Sequence, residues 1–412
     1  MKKTLFIIVL FTFLSSTKIF AQDKERTFTS AIDSIVNYGI QNKAYPGAQV
    51  YLFKKGHLDY HQTYGYHTYD SLVPVKKSDL YDLASVTKVL AATLAFMKLY
   101  ETYKLNLDAK ISDYLPALKR GNKKHTTFRE VLSHSAGWLP YLAHQNTVRK
   151  NNGAFKARTL RHSASKRYPI QISDSLFVHH KYRKKIMRRI KKTKVSDPGT
   201  YLYSGLWFFL IPQLTEQLSG LSFEHFLATH FYQPLQLERL TFLPANTFPK
   251  GEIVPTEYDA FFRKQLVQGW VHDEAAALMG GISGNAGLFA NATSIAPLLE
   301  MLLNNGNYKG KKILDPQTIA LFTQRAYPES QNRRGLGFDK PELKSEEEPY
   351  PSLLASPASF GHTGFTGTLI WIDPEQESFM IFLSNRVYPS RDQRGLYQLN
   401  IRSKLLDHVL AY

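Results

Sequence analysis

The chain has 412 residues, 43% of them apolar, with 52 Lys/Arg against 34 Asp/Glu for a formal charge of +18, and it contains no cysteine. Without cysteine there is no disulfide and no lipid anchor on a cysteine, so folding must rest on a hydrophobic core, for which the apolar content is adequate. The basic balance favours anionic surfaces or substrates without identifying one.

Lys2 and Lys3, an apolar run from Leu5 to Leu14, and Ile19-Phe20-Ala21 before Gln22 read as a secretory signal over residues 1–21. Its removal leaves residues 22–412, carrying +15, for one large domain or two intimate subdomains. The run is too short to span a bilayer, and no later stretch reaches the roughly 18 apolar residues a spanning helix needs. These features predict a periplasmic or secreted protein that is not a lipoprotein and has no transmembrane segment.

A helical lead-in over 28–42 precedes "PGAQVYLFKKGHLDYHQTYGY", which predicts a hairpin of Ala48–Phe53 and Leu58–Tyr64 around Lys54-Lys55-Gly56-His57. Next, "LASVTK" places Ser85 and Lys88 three residues apart at the start of a helix whose Val86, Leu90, Leu94 and Met97 recur at helical spacing. One helical turn puts Lys88 on the face of Ser85. The spacing alone is weak evidence: it recurs at Ser15/Lys18, within the leader, and at Ser163/Lys166 in a polar stretch with no apolar helical continuation. Serine is also a preferred helix cap, so on these six residues a capping role is favoured.

The run 179–194, "HHKYRKKIMRRIKKTK", has nine Lys/Arg and no acid. Ile186, Met187 and Ile190 give it one apolar helical face and a heavily cationic opposite one; the ordinary reading is a solvated face. Its closeness in sequence to Tyr203 also allows residues 181–194 to rim a cleft and make peripheral contact with an anionic envelope surface. "DPGTYLYSGLWFFL" then sets Tyr203 after a turn and before an apolar helix, and 293–303 reads as a further helix. Toward the end, "SFGHTGFTGTLIWIDPEQESFMIFLSNRV" predicts a strand reaching His362 and further strands over Thr368–Ile372 and Phe379–Ser384. A final helix aligns Ile401, Leu405 and Val409. The economical architecture is α/β (α+β): an antiparallel sheet built from both chain ends, flanked by helices, with a mostly helical inserted subdomain.

Ser85-x-x-Lys88, Tyr203-x-Gly205 and His362-Thr363-Gly364, in that order, resemble the three signatures of the serine β-lactamase and penicillin-binding protein superfamily. The similarity is to the class C-like (peptidase S12) branch, which holds class C β-lactamases, DD-peptidases and related esterases. It runs from about Pro46 to Val387 and takes in "PGAQVYLFKKG", "VLSHSAGW" and "GLFANATSIAPLLEMLLNNG". Within the branch it is similar to exported hydrolase modules found behind bacterial β-N-acetylglucosaminidases, although no glycosidase portion is present. The resemblance implies Ser85 as nucleophile, Lys88 as its activating partner and Tyr203 as general base and then general acid. His362 would steady the tyrosine's proton network and face a substrate carboxylate. The oxyanion and substrate-binding positions would be Ser85, Thr363, Gly364 and Phe365, with backbone N–H groups of Ser85 and Phe365 as the oxyanion donors and Gly364 leaving room for substrate along the strand.

Gly205 departs from the pattern, which has Asn or Asp there to hold the lysine and bind the acyl-side amide. That departure weighs against efficient β-lactam hydrolysis and toward esters or unusual amides. No cofactor is implied and no metal is expected, since His272-Asp273 lacks a third ligand at metal spacing and is better read as structural. His134 is expected to pack a loop at a helix start. Export and the lack of a recognised motif argue against nucleic acid. The leading expectation is an exported serine hydrolase forming an acyl-enzyme on a small-molecule or peptidoglycan-derived substrate: a cell-wall peptide, a β-lactam or an ester. The alternative is a catalytically weak protein that keeps the fold and binds peptidoglycan or an anionic polymer.

Overall fold

The computed structural model describes residues 27–55, 58–342 and 350–412; the leader 1–21 and the tip of the first hairpin lie outside the described residues. In chain order the elements that frame the molecule are α1 (27–41), β1 (Gly47–Lys54), β2 (Leu58–Gly65), α2 (Leu94–Tyr103), α3 (Tyr182–Lys192), α4 (Ala292–Leu303), β3 (Phe360–Thr363), β4 (Leu369–Asp373), β5 (Ser378–Ser384) and α5 (Ile401–Ala411). The five strands form one antiparallel sheet in the order β3-β4-β5-β1-β2, so the two chain ends meet where β1 pairs with β5, Val50 opposite Phe382.

Strand periodicity divides the core in two. Ala48, Val50, Leu52, Leu369, Trp371, Met380 and Phe382 point to one face and pack with Phe28, Ile32 and Val36 of α1 and Ile401, Leu405 and Val409 of α5. Ile370, Ile372, Phe379, Ile381 and Leu383 point to the other, where α4 supplies Ile295, Leu298, Leu299 and Leu302. With both faces covered, β4 and β5 are buried along their whole length, which is why they read as near-continuous apolar runs.

The insertion between β2 and β3 is helical around α2, but it also carries small sheets that the sequence reading did not anticipate. Tyr81–Asp82, Leu288–Ala290 and Leu240–Phe242 form one; Leu160–Arg161, Leu176–Val178 and Ile170–Ser173 form another. The stretch from Ser85 to Tyr103 is not one regular helix. A 3₁₀ turn, Ala84–Val86, leads into a π-helical segment, Lys88–Thr93, and only then into α2, with Val86, Leu90, Leu94 and Met97 all buried. Among the described residues no helix is long and apolar enough to cross a membrane.

Candidate active site

Ser85 stands on a turn whose backbone is forced. Ala84 sits at φ 46°, a left-handed conformation that alanine takes only when its surroundings impose it. The constraint is visible: the Ala84 N–H donates to Asp82 Oδ1 at 2.8 Å, the Leu83 N–H to Leu288 O at 3.0 Å, and the other Asp82 oxygen accepts the His272 N–H at 2.6 Å. Burial raises the Asp82 carboxyl pKa, against the two backbone N–H groups that bond its ionised form.

From the opposite side the β3–β4 turn closes on this segment. Thr366 Oγ1 donates to Asp82 O at 2.7 Å and Thr368 Oγ1 to Leu83 O at 3.0 Å. Gly364 is in van der Waals contact here: a Cβ on it would lie 2.0 Å from Thr368 Oγ1 and 2.5 Å from Leu83 O. The glycine therefore admits the Ser85 turn against β3. This corrects the expectation that it clears a path for substrate, because its vacant side faces the protein.

Lys88 is buried, and its Nζ donates to Ser85 Oγ at 2.9 Å and to the Asn285 carbonyl at 2.8 Å. Asn285 is in turn held by Ser283 Oγ at 2.7 Å and by its own amide donating to Asp273 Oδ1 at 3.2 Å. The Tyr203 loop is strapped to the segment after Leu132 by the Leu202 N–H donating to His134 O and the Gly199 N–H to Ser135 O, both 2.8 Å. The Tyr203 ring lies 4.5 Å from the His134 ring and 6.1 Å from that of His362. Lys88 Nζ sits 5.6 Å from its centroid and Arg334 Cζ 5.2 Å. The fold thus brings Ser85, Lys88, Tyr203 and His362 together and places Phe365, 45% exposed, beside them.

His362 is buried, and its Nδ1 lies 2.7 Å from the Thr363 carbonyl. A carbonyl only accepts, so Nδ1 carries the hydrogen and Nε2 is a bare acceptor with no partner among the described residues. Burial, then the charges of Arg334 and Lys88, push its pKa down to about 3. The neutral ring therefore presents an acceptor at Nε2.

The fixed positive charge is Arg334, which is buried, donates from Nη2 to Tyr201 Oη at 3.2 Å and faces Asp339 at 3.3 Å. Its Nη1 has no hydrogen-bond partner among the described residues. Burial alone would raise the Asp339 carboxyl; Arg334 and Arg333 hold it below the usual range. Sequence reading missed Arg334 and Asn285. The only signal for the first was the pair Arg333-Arg334 before Gly-Leu-Gly, and adjacent arginines are ordinarily solvated.

Phe365 is clamped. Arg386 Nε donates to its carbonyl at 2.9 Å and stacks over its ring at 4.5 Å, while His272 stacks on the other side with centroids 5.7 Å apart. His272 pairs through Nε2 with Glu257 at 2.7 Å and not with Asp273, which instead caps the helix Glu274–Leu278. Burial would raise the Glu257 carboxyl, but His272 and Arg391 hold it down at about 2. His134 packs a loop as expected, but one that follows the helix Phe128–Leu132, beyond its C-cap Ser133; its Nδ1 accepts the Ser204 N–H at 3.2 Å and its ring backs Tyr203. Gly205 has no left-handed φ, and a Cβ there would meet only Pro140 O, at 3.8 Å. Ser163 and Lys166 lie on an exposed turn. Among the described residues no group of three or more His, Asp or Glu is placed to hold a metal ion.

The family model for beta-lactamase matches residues 32–402. A Salmonella typhimurium protein named "Putative D-alanyl-D-alanine carboxypeptidase" is 30% identical over 428 residues, covering 94% of this chain and 91% of that one. Among solved structures, D-amino acid amidase from Ochrobactrum anthropi superposes with a TM-score of 0.65 at 15% identity, over 93% of this chain and 98% of that one. A penicillin-binding protein homologue from Caulobacter crescentus does so with 0.62 at 17%, over 92% and 96%. The match spans nearly the whole folded chain, from α1 to α5, and on that basis the protein belongs to the beta-lactamase family, within the serine β-lactamase and penicillin-binding protein superfamily.

Proposed function

We propose that the protein is an exported serine hydrolase that forms an acyl-enzyme on Ser85, with D-alanyl peptides of the cell wall as its leading substrate class. The observation that carries this is the buried Lys88 Nζ at 2.9 Å from Ser85 Oγ, on a turn whose backbone is held in a costly conformation. A lysine so placed orients the hydroxyl and opposes charge build-up as the oxygen attacks a carbonyl. Tyr203 takes the Ser85 proton and later delivers it to the leaving group. Negative charge developing on its oxygen is met by Lys88 and Arg334. His362 Nε2, without a partner among the described residues, is the acceptor open to a hydroxyl of this network during turnover.

The oxyanion falls to the N–H groups of Ser85 and Phe365, neither of which has a protein acceptor among the described residues. Acylation expels the C-terminal residue, and water attacking the ester, activated by Tyr203, regenerates Ser85. The name of the Salmonella relative supports a D-alanyl-D-alanine peptide, and Arg334, with Nη1 unpartnered, is the group suited to its carboxylate. Gly205 favours a second reading, in which short esters turn over faster than amides, because no side chain there is available to grip an acyl-side amide. Intact-mass detection of acyl-enzyme across penicillins, D-Ala-D-Ala peptides and short-chain esters tests both. Ser85→Ala should abolish every adduct with little change in the thermal melt, and an adduct persisting in that variant would refute the nucleophile.

A further inference from the structure

The positive charge of this protein is concentrated in one place. Residues 139–194 hold sixteen Lys/Arg and one acid, Asp174, a surplus equal to the entire +18 of the chain less the three lysines of residues 1–21. Everything else in residues 22–412 is formally neutral. The single acid is already engaged, pairing with Lys250 outside the segment at 2.5 Å. Of the sixteen cations, Arg183 alone meets an acid within salt-bridge distance among the described residues, Glu216 at 3.7 Å.

Within this segment lies a cavity of 680 Å³ whose charged lining is Arg158, Arg161, Arg167, His179, His180 and Lys181, with no acid. Its wall is organised by Tyr168. Arg161 stacks over the ring at 5.6 Å, the His179 ring meets it edge-on at 5.1 Å, and its hydroxyl oxygen accepts the Arg158 N–H at 3.3 Å. His180 stacks on His179 at 4.5 Å, and its Nδ1 and N–H both donate to the Arg167 carbonyl. Lys181 is the N-cap residue of α3 and makes no side-chain cap; the first turn beyond it holds no acid and carries Arg183, Lys184 and Lys185. Cations at the positive end of a helix cost stability, as do like charges crowded round a concavity. His179 shows the crowding: burial first, then His180, Arg158, Lys181 and Arg167, lower its pKa.

We propose that this cavity binds a water-soluble anion carrying two or more phosphate groups, held by the guanidinia of Arg158, Arg161 and Arg167 and the ammonium of Lys181. Planar guanidinia without acidic partners suit phosphate oxygens in pairs, and a concave basic wall focuses potential on a compact anion. A lipid surface fits less well. From 142 to 200 no large apolar side chain is exposed, so nothing there would insert into a bilayer, and a flat headgroup layer does not enter a cavity. The site is separate from the Ser85 cleft and does not depend on the hydrolase reading.

Calorimetric titration of the purified protein with tripolyphosphate at about 0.15 M salt tests this, because diffuse attraction is largely screened there and a built pocket is not. One-to-one binding is expected, together with a rise in the pKa of His179 by NMR when the probe saturates. Removing one charged hydrogen bond, worth about 1.5–3 kcal/mol, corresponds to a loss of about tenfold or more. Arg158→Gln/Arg161→Gln/Arg167→Gln should therefore abolish binding while the Ser85 site still takes its covalent label. Lys184→Gln/Lys185→Gln/Arg188→Gln, on the exposed face of α3, should leave affinity within about threefold. If the triple cavity variant fails to fold, Arg167→Gln alone should still show the loss. The proposal is overturned if wild type shows no saturable binding, if both sets of variants weaken it equally, or if phosphatidylglycerol vesicles bind and tripolyphosphate does not displace them.

Discussion

Replacing Gly364 by alanine tests whether the packing of β3 on the Ser85 turn sets the proposed chemistry. The new Cβ would stand 2.0 Å from Thr368 Oγ1 and 2.5 Å from the Leu83 carbonyl oxygen, with Ala84 Cβ at 3.4 Å. The threonine can rotate away, giving up its 3.0 Å bond to Leu83 O at a cost of about 1 kcal/mol. Backbone cannot rotate away, so the Leu83 carbonyl must recede by about 1 Å to restore ordinary contact. Overpacking of this kind costs about 1–3 kcal/mol. Two residues further on, the same displacement moves Ser85 Oγ, and a misplacement of about 1 Å costs about 100-fold in rate. The expected result is a fall of that size in kcat/KM on a short-chain ester, with the thermal midpoint down by several degrees. Adding Thr368→Ala should recover only part of it, since the clash with Leu83 O remains. Activity within about threefold of wild type, with an unchanged melt, would show that the turn is not held by this contact.

Gly205→Asn should fold normally, because the nearest atom to its Cβ is Pro140 O at 3.8 Å and the backbone there is not left-handed; the ratio of penicillin to ester kcat/KM should rise, and an unchanged ratio would remove Gly205 as a specificity determinant. Arg334→Gln should raise the His362 pKa from about 3, since that guanidinium is its strongest charged neighbour, and lower kcat/KM; an NMR titration with no shift would refute the placement of charge. Acid should destabilise the fold: His362 and His134 are both held well below their unfolded value near 6.5, so the unfolded chain binds more protons as pH falls from 6.5 toward 4. The stability these neutral rings permit is fully present above 6.5 and is lost as pH falls; for His362, with its pKa at about 3, the loss at pH 5 is on the order of 2 kcal/mol, and His134 adds to it in the same direction. Melting curves over pH 4–7 measure it, and His362→Asn should remove about one proton from the slope.

Much of the fold follows from local pattern. The β1–β2 hairpin, the strands β4 and β5, and the apolar stripe of α5 obey periods of 2 and 3.6 that any single segment displays. Ser85, Lys88, Tyr203 and His362 were legible because their order and spacing survive in one dimension. What those residues do was not, since it depends on partners distant in the chain. The second bond of Lys88 goes to a backbone carbonyl 197 residues away, and a carbonyl leaves no mark in the sequence. The protonation state of His362 is set by its burial and by Arg334, and Gly364 is explained only by the turn packed against it. The pairing of His272 with Glu257 displaced the adjacent Asp273 for the same reason, because neighbours along a chain need not face each other. Sequence determined the strands of the main sheet, its flanking helices and the residue types of the candidate catalytic set, which are local properties. Tertiary structure alone decided charge, tautomer and contact, because electrostatics and excluded volume act through space and not along the chain.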